Sequence, residues 1–203
     1  KRQIERFNVN CHLNTEVTPE MVQAEAPDVV ILATGSVPAF PPVEGIDREA
    51  VVSVHEIMGN DHSDPKRTIV VGGGPTGCEV ALHLSDAGSP VTIVEMLPKI
   101  GIGLESMTKK ILLGRLQENH VQVKTECTLK RVEPGGVVIV DKDDASHFIE
   151  AEKVVIAIGT RPHTRLYEQI KDLGIEVHRI GDCLEPRSAK AAIYEGGVLG
   201  RTI

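Results

Sequence analysis

The apolar and polar positions of this chain change their period several times, and each change predicts an element. Two apolar runs, VILATGSVP (Val30 to Pro38) and VVIAIGTRP (Val154 to Pro162), align without a gap, with Val, Ala, Gly and Pro at matching places. Each is a continuous apolar stretch closed by glycine, the signature of a strand buried on both faces. Val9 to Val17 alternates and predicts a short strand, and Asp28 to Gly35 a buried one. Proline then recurs at 38, 41 and 42, a stiff connector and a natural border. VVSVHEIMGNDHSDPK reads as a short helix and a polar loop.

The middle of the chain is more regular. TIVVGGG is a strand entering a glycine turn. From Pro75 to Ala87 the period is helical, with Gly77, Ala81, Leu84 and Gly88 on one face and proline at the favoured first position. Pro90 to Glu95 is the next strand, and Leu104 to Asn119 a second helix with Met107, Ile111, Leu112 and Leu116 as its apolar side. Val121 to Thr125 is a third strand, followed by short alternating segments separated by turn residues, an antiparallel meander, and by the buried strand KVVIAIG. Leu166 to Leu173 is predicted helical, IEVHRIGD a strand ending at Gly181-Asp182, and Ser188 to Leu199 a helix capped by its serine.

Composition narrows the picture. The core is built from Val, Ile, Leu and Ala, because there are three Phe, two Tyr and no Trp. So few aromatics disfavour single-stranded nucleic acid, which needs stacking platforms. A net charge of −7 disfavours a DNA backbone or an anionic membrane surface. No apolar run approaches the ~20 residues of a spanning helix. Cys11, Cys78, Cys127 and Cys183 are too scattered for a CxxC redox pair or a zinc site, and read as buried or half-buried thiols of a reducing cytoplasm. His12, His55, His62, His83, His120, His147, His163 and His178 show no metal spacing; VHEIMG begins like a zincin helix, but Gly59 stands where the second histidine would be.

IVVGGGPTG satisfies G-x-G-x-x-G with Gly72, Gly74 and Gly77, between a predicted strand and a predicted helix. Gly72 permits the turn, Gly74 lets the backbone approach a pyrophosphate, and Gly77 lets helix and strand pack closely. The helix start offers unpaired N–H groups to the phosphates. Glu95 ends the next strand, where a carboxylate accepts hydrogen bonds from an adenosine ribose. At 4 Å and an effective dielectric of about 20 it would oppose a 2′-phosphate by roughly 4 kcal/mol before screening. Only Lys99 in the following MLPKIGIG could compensate, so NAD(H) is favoured over NADP(H).

With VVGGGPTGCEVALHL, Glu95, the meander and AIGTRP, the chain resembles the pyridine-nucleotide-dependent flavoprotein oxidoreductases, in which an FAD domain and an NAD(P) domain are nested. LNTEVT…DVVILATGSVPAFPPVEGID and IGDCLEPRSAKAAIYEG are most similar to the C-terminal part of the NADH:flavin oxidoreductases, a group with 2,4-dienoyl-CoA reductase, trimethylamine dehydrogenase and enoate reductases. The resemblance implies a Rossmann-like α/β fold, a parallel sheet with helices and an antiparallel β-meander, and a second related domain that is incomplete. It implies a first FAD-type segment over 1–60, an NAD(P) domain over 66–161 and a returning FAD-type segment over 162–203. The two similar runs would then be corresponding strands of two related domains.

For the nicotinamide dinucleotide the resemblance implies the loop Gly72, Gly73, Gly74, Pro75, Thr76 and Gly77, with Glu95 and Gly159. A glutamate at the place of Glu79 lies near the nicotinamide carboxamide in such reductases. For FAD it implies Thr34, Gly35 and Gly181, with Asp182 on the ribityl chain. Both chain ends read as cut: KRQIERF looks like the last turns of a helix without an N-cap. The expectation is thus a segment of a longer protein, whose FAD glycine loop, FMN barrel and iron–sulfur cluster lie upstream. The function implied is hydride passage from NADH to FAD and on to that barrel, with no catalytic acid or base in this chain. The alternative is a non-catalytic ADP-binding module. A stand-alone disulfide reductase is disfavoured because CxxC is missing. An open sheet edge invites a second copy of the chain as partner.

Overall fold

The computed structural model describes residues 2–58 and 65–203; Gly59 and His62 lie outside them. The chain begins with α1 (Arg2–Arg6), α2 (Pro19–Glu25), β1 (Val29–Leu32) and β2 (Ser36–Pro38). It continues through β3 (Val51–Ser53), α3 (Val54–Met58), β4 (Thr68–Val71), α4 (Pro75–Asp86), β5 (Val91–Val94), α5 (Ser106–Glu118) and β6 (Gln122–Lys124). The meander is β7 (Cys127–Glu133), β8 (Gly136–Asp141) and β9 (Ser146–Glu150), followed by β10 (Lys153–Ile156). β11 (Thr160–Pro162), α6 (Arg165–Ile170), β12 (Glu176–Arg179), a 3-10 turn at Gly181–Cys183 and α7 (Ala189–Leu199) complete it. The fold is the Rossmann-like α/β arrangement that the sequence implies.

The chain forms two compact units, Lys1–Ser36 with Pro162–Ile203, and Val37–Arg161. The larger one is built on a parallel sheet in the order β3-β10-β4-β5-β6. Its inner strands β10, β4 and β5 are largely buried on both faces, while the edge strand β6 is exposed. Val70, Ile93 and Val155 pack on Val80, Ala81 and Leu84 of α4 and on Leu112 and Leu116 of α5. The intervening Ile69, Val71, Val94, Val154 and Ile156 pack on Leu129, Val132, Val137 and Ile139 of the meander. Alternation along each strand therefore feeds two cores, so a continuous apolar run is what the layers require.

The smaller unit has one parallel pair, β1 with β12 in register from Val29↔Glu176 to Leu32↔Arg179. Its core holds Val22, Leu32, Ile170 and Cys183. Ser188 caps α7 as expected, accepting from the amide of Ala191 at 3.3 Å. The two similar runs fold alike: each has a strand, a glycine at positive φ (Gly35 at 72°, Gly159 at 103°) and a second short strand.

Several expectations are corrected. The compact unit holding the start of the chain ends at Ser36, while β3 pairs with β10 and Ile57 is buried in the larger unit's core. The short helix read in VVSVHEIM is present but begins only at Val54, after the strand Val51–Ser53. Val9 to Val17 forms no strand: no ladder partner faces it among the described residues, and Val9, Leu13 and Val17 are exposed. β1 is only half-buried, with Ile31 exposed, since it pairs on one side alone among the described residues. On α5 the buried side is Leu112 and Leu116, while Met107 and Ile111 are exposed; of the two i, i+4 pairs only the later one faces the sheet. Cys11 is exposed; the other three thiols are buried, and none is in a disulfide.

Candidate dinucleotide site

The glycine loop leaves β4 where the strand order reverses: β5 lies on one side of β4, and β10, which follows the meander, on the other. Such a switch point opens a crevice beyond the carboxyl ends of the strands. The loop is fixed by backbone contacts. Gly72, at φ 107°, donates its N–H to the Val94 carbonyl at 2.8 Å. The Gly73 carbonyl accepts from the Gly101 amide at 2.6 Å and from the Cys78 thiol at 3.3 Å. Burial, above all, raises the pKa of that thiol, which keeps it a donor.

The three motif glycines differ in what surrounds them. A Cβ on Gly77 would strike the Gly72 carbonyl oxygen, and one on Gly72 the Ala157 carbonyl. A Cβ on Gly74 would meet no atom within 4 Å. Gly74 is also the N-cap of α4, Pro75 opens the helix, and no side chain caps that end. The first-turn amides thus face open space across a backbone with no side chain in the way. This arrangement fits a diphosphate.

Glu95 is buried, 8% exposed. One carboxylate oxygen accepts from the Gly73 amide at 2.6 Å, the other from the Leu97 amide at 2.8 Å. The acid therefore ties the glycine loop to the segment after β5, a role the sequence did not reveal. A carboxylate has about four lone-pair sites, so two remain for a ribose diol.

A cavity of about 760 Å³ adjoins these groups, within the usual range for small-molecule sites of about 300–1,000 Å³. Gly72, Gly74, Pro75, Thr76, Glu95 and Gly159 all line it. Gly73 does not, being buried beneath Ile100 and Glu95. Glu79 is exposed on α4 and is not a lining residue. Among the described residues no group of three or more His, Cys, Asp or Glu could hold a metal ion.

In the smaller unit, the remaining expected residues come together at the ends of β1 and β12. The Thr34 hydroxyl donates to the His163 carbonyl at 2.8 Å, and the Gly35 carbonyl accepts from the His163 amide at 3.0 Å. Asp182 accepts from the Ser36 hydroxyl at 3.4 Å and the Arg187 amide at 3.3 Å. The Gly181 amide donates to Glu195 at 2.7 Å, and the Arg187 guanidinium pairs with the same carboxylate. Arg187 and Glu195 were not picked out from sequence; they meet the turn only because α7 folds back over it.

Residues 3–185 match the family described as pyridine nucleotide-disulphide oxidoreductase. The chain belongs to that family. Like other pyridine nucleotide-disulphide oxidoreductases it is therefore of the class that uses FAD and NAD(P)H. It is 35% identical over 199 residues to an NADH oxidase of Thermoanaerobacter brockii, covering 96% of this chain and 31% of the relative. It is 26% identical over 201 residues to a bilirubin reductase of Mediterraneibacter gnavus, covering 99% of this chain and 31% of that protein. A 2-naphthoyl-CoA reductase, solved with 2-naphthoyl-CoA, superposes with a TM-score of 0.89 at 28% identity, over 100% of this chain and 31% of its own. This chain thus spans 31% of the length of each of these relatives. The likeness to NADH:flavin oxidoreductases read from the motifs is borne out.

Proposed function

We propose that this chain is the nicotinamide-dinucleotide-binding part of a flavin-dependent oxidoreductase that takes reducing equivalents from NADH to FAD, and on to an FMN barrel carrying an iron–sulfur cluster. The observation that carries the reading is the open side of Gly74 beside the uncapped start of α4. The diphosphate would lie on the N–H groups of Gly74, Thr76 and Gly77, Pro75 having none, and the adenosine ribose on the free lone pairs of Glu95. When bound, the dinucleotide supplies a hydride equivalent to a flavin acceptor. The chain itself contributes binding, orientation and exclusion of water. Gly35, Thr34, Gly181 and Asp182 would hold part of FAD. Four cysteines without a disulfide support a reducing, cytoplasmic setting, and no described helix is long and apolar enough to cross a membrane.

The buried charge of Glu95 supports NADH over NADPH. Calorimetric titration of this chain with NADH, NADPH and ADP tests both points. The expected result is one NADH site, at least about tenfold tighter than for NADPH, and tighter than for ADP. Equal affinity for NADH and ADP would instead favour a non-catalytic ADP-binding module.

A further inference from the structure

The sheet register shows which way a dinucleotide must run. Ser53, Ile156, Val71 and Val94 form one row across β3, β10, β4 and β5. Glu95 lies just beyond this row on the β5 side, and the glycine loop begins at Gly72 beyond β4. With the adenosine ribose at Glu95, the other half of the ligand extends from the loop across the ends of β10 and β3. Neighbouring strands are ~4.8 Å apart, so this half of the cavity reaches roughly 10 Å beyond β4.

That end is apolar. Its lining includes Pro38, Pro41, Val54 and Ile158, and the side chains there able to form hydrogen bonds are His55 and Thr160. Among the described residues no lysine or arginine lines the cavity. His55 is exposed in the first turn of α3, and its imidazole has no side-chain partner among the described residues. Its place is set from below. The Ser53 amide and hydroxyl both donate to Glu56 at 2.7 Å, and the Glu56 amide donates back to the Ser53 hydroxyl at 3.3 Å. This reciprocal cap fixes the turn that carries His55.

We propose that His55 is a specificity-determining residue for the nicotinamide half of the ligand, hydrogen-bonding its carboxamide or the adjoining ribose. A carboxamide is both donor and acceptor, and so is a neutral imidazole. A polar head in an otherwise apolar pocket gains most of its discrimination from such a partner. The inference rests on the dinucleotide reading above and assigns to His55 a role that Glu79, outside the cavity lining, was expected to fill.

The test is calorimetric titration of NADH and of ADP into the wild-type chain and the variants His55→Ala and His55→Gln. The expected outcome is a loss of roughly three- to tenfold in NADH affinity for His55→Ala, ADP affinity unchanged, and partial recovery in His55→Gln, which keeps a donor and an acceptor. Because His55 is exposed, the fold should tolerate both. An unchanged NADH affinity overturns the assignment. An equal loss for NADH and ADP also overturns it, since the contact would then be to the diphosphate. Equal binding of NADH and ADP by the wild type removes any nicotinamide contact and overturns it as well. If the wild type binds neither ligand, the dinucleotide reading itself fails and the assignment falls with it.

Discussion

At the scale of residues, Gly74 and Gly77 should separate binding from folding. Both fit the same sequence motif, but only at Gly74, with φ −69°, is there both ordinary backbone and free space for a methyl group. Gly74→Ala should leave the melting temperature nearly unchanged and remove most dinucleotide affinity. Gly77→Ala drives a methyl group into the Gly72 carbonyl and should cost about 1–3 kcal/mol of stability. Thermal melts with NADH titrations check the pair; equal loss of stability in both would contradict the assigned roles. Glu95→Ala strands the buried Gly73 amide and frees Leu97. It should cost about 1–3 kcal/mol and a melting shift of several degrees, in addition to lost affinity. Which residues could bind was legible from the G-x-G-x-x-G motif and the acid after it. That Glu95 clamps the loop was not, because its partner Gly73 is twenty-two residues away and the contact exists only once the strands are side by side.

At the scale of elements, three helix or turn devices tie stability to acid. Glu56 is held below the ordinary carboxylate value of 4.5 by the Ser53 hydroxyl first and the Ser53 amide second. Glu105, the N-cap of α5, is lowered by the amides of Met107 and Thr108. Asp141 is lowered from 3.8, chiefly by its hydrogen bond with His147. A carboxyl depressed in the fold stabilises fully above its unfolded value, and that contribution disappears as pH falls through the folded one. Melting temperature should therefore be flat above about pH 5 and decline below about pH 4, less steeply in Glu56→Gln; an identical slope in that variant would contradict the capping role. Ser53→Ala should cost about 0.5–2 kcal/mol through the lost cap. Element type was readable wherever period and capping agreed, as in α4 and α7. It failed at β3, where VVSVHEIM carries strand and helix in one apolar run and only pairing with β10 divides them. It failed again on α5, whose apolar residues cover more of the helix than the sheet can bury.

At the scale of the whole molecule, the two similar runs lead from one compact unit toward the other and back, closing on glycines of the same backbone sign. This repeat was visible in the sequence, because like strands need like residues. Where the first unit ends was not, since residues 37–58 join the larger unit through pairing and burial rather than through composition. The smaller unit has a two-stranded sheet and no G-x-G-x-x-G of its own. The purified chain should accordingly retain little FAD by absorbance, while still binding NADH; stoichiometric bound FAD would refute this.

The claim on which the account depends is that a diphosphate seats on the amides after Gly74. The direct measurement is the backbone amide NMR spectrum of this chain during addition of ADP. Saturable shifts concentrated at the amides of Gly73, Gly74, Thr76 and Gly77 and around Glu95 are predicted. Saturation of the ligand with those amides unmoved, or with shifts confined to residues outside the larger unit, would contradict it.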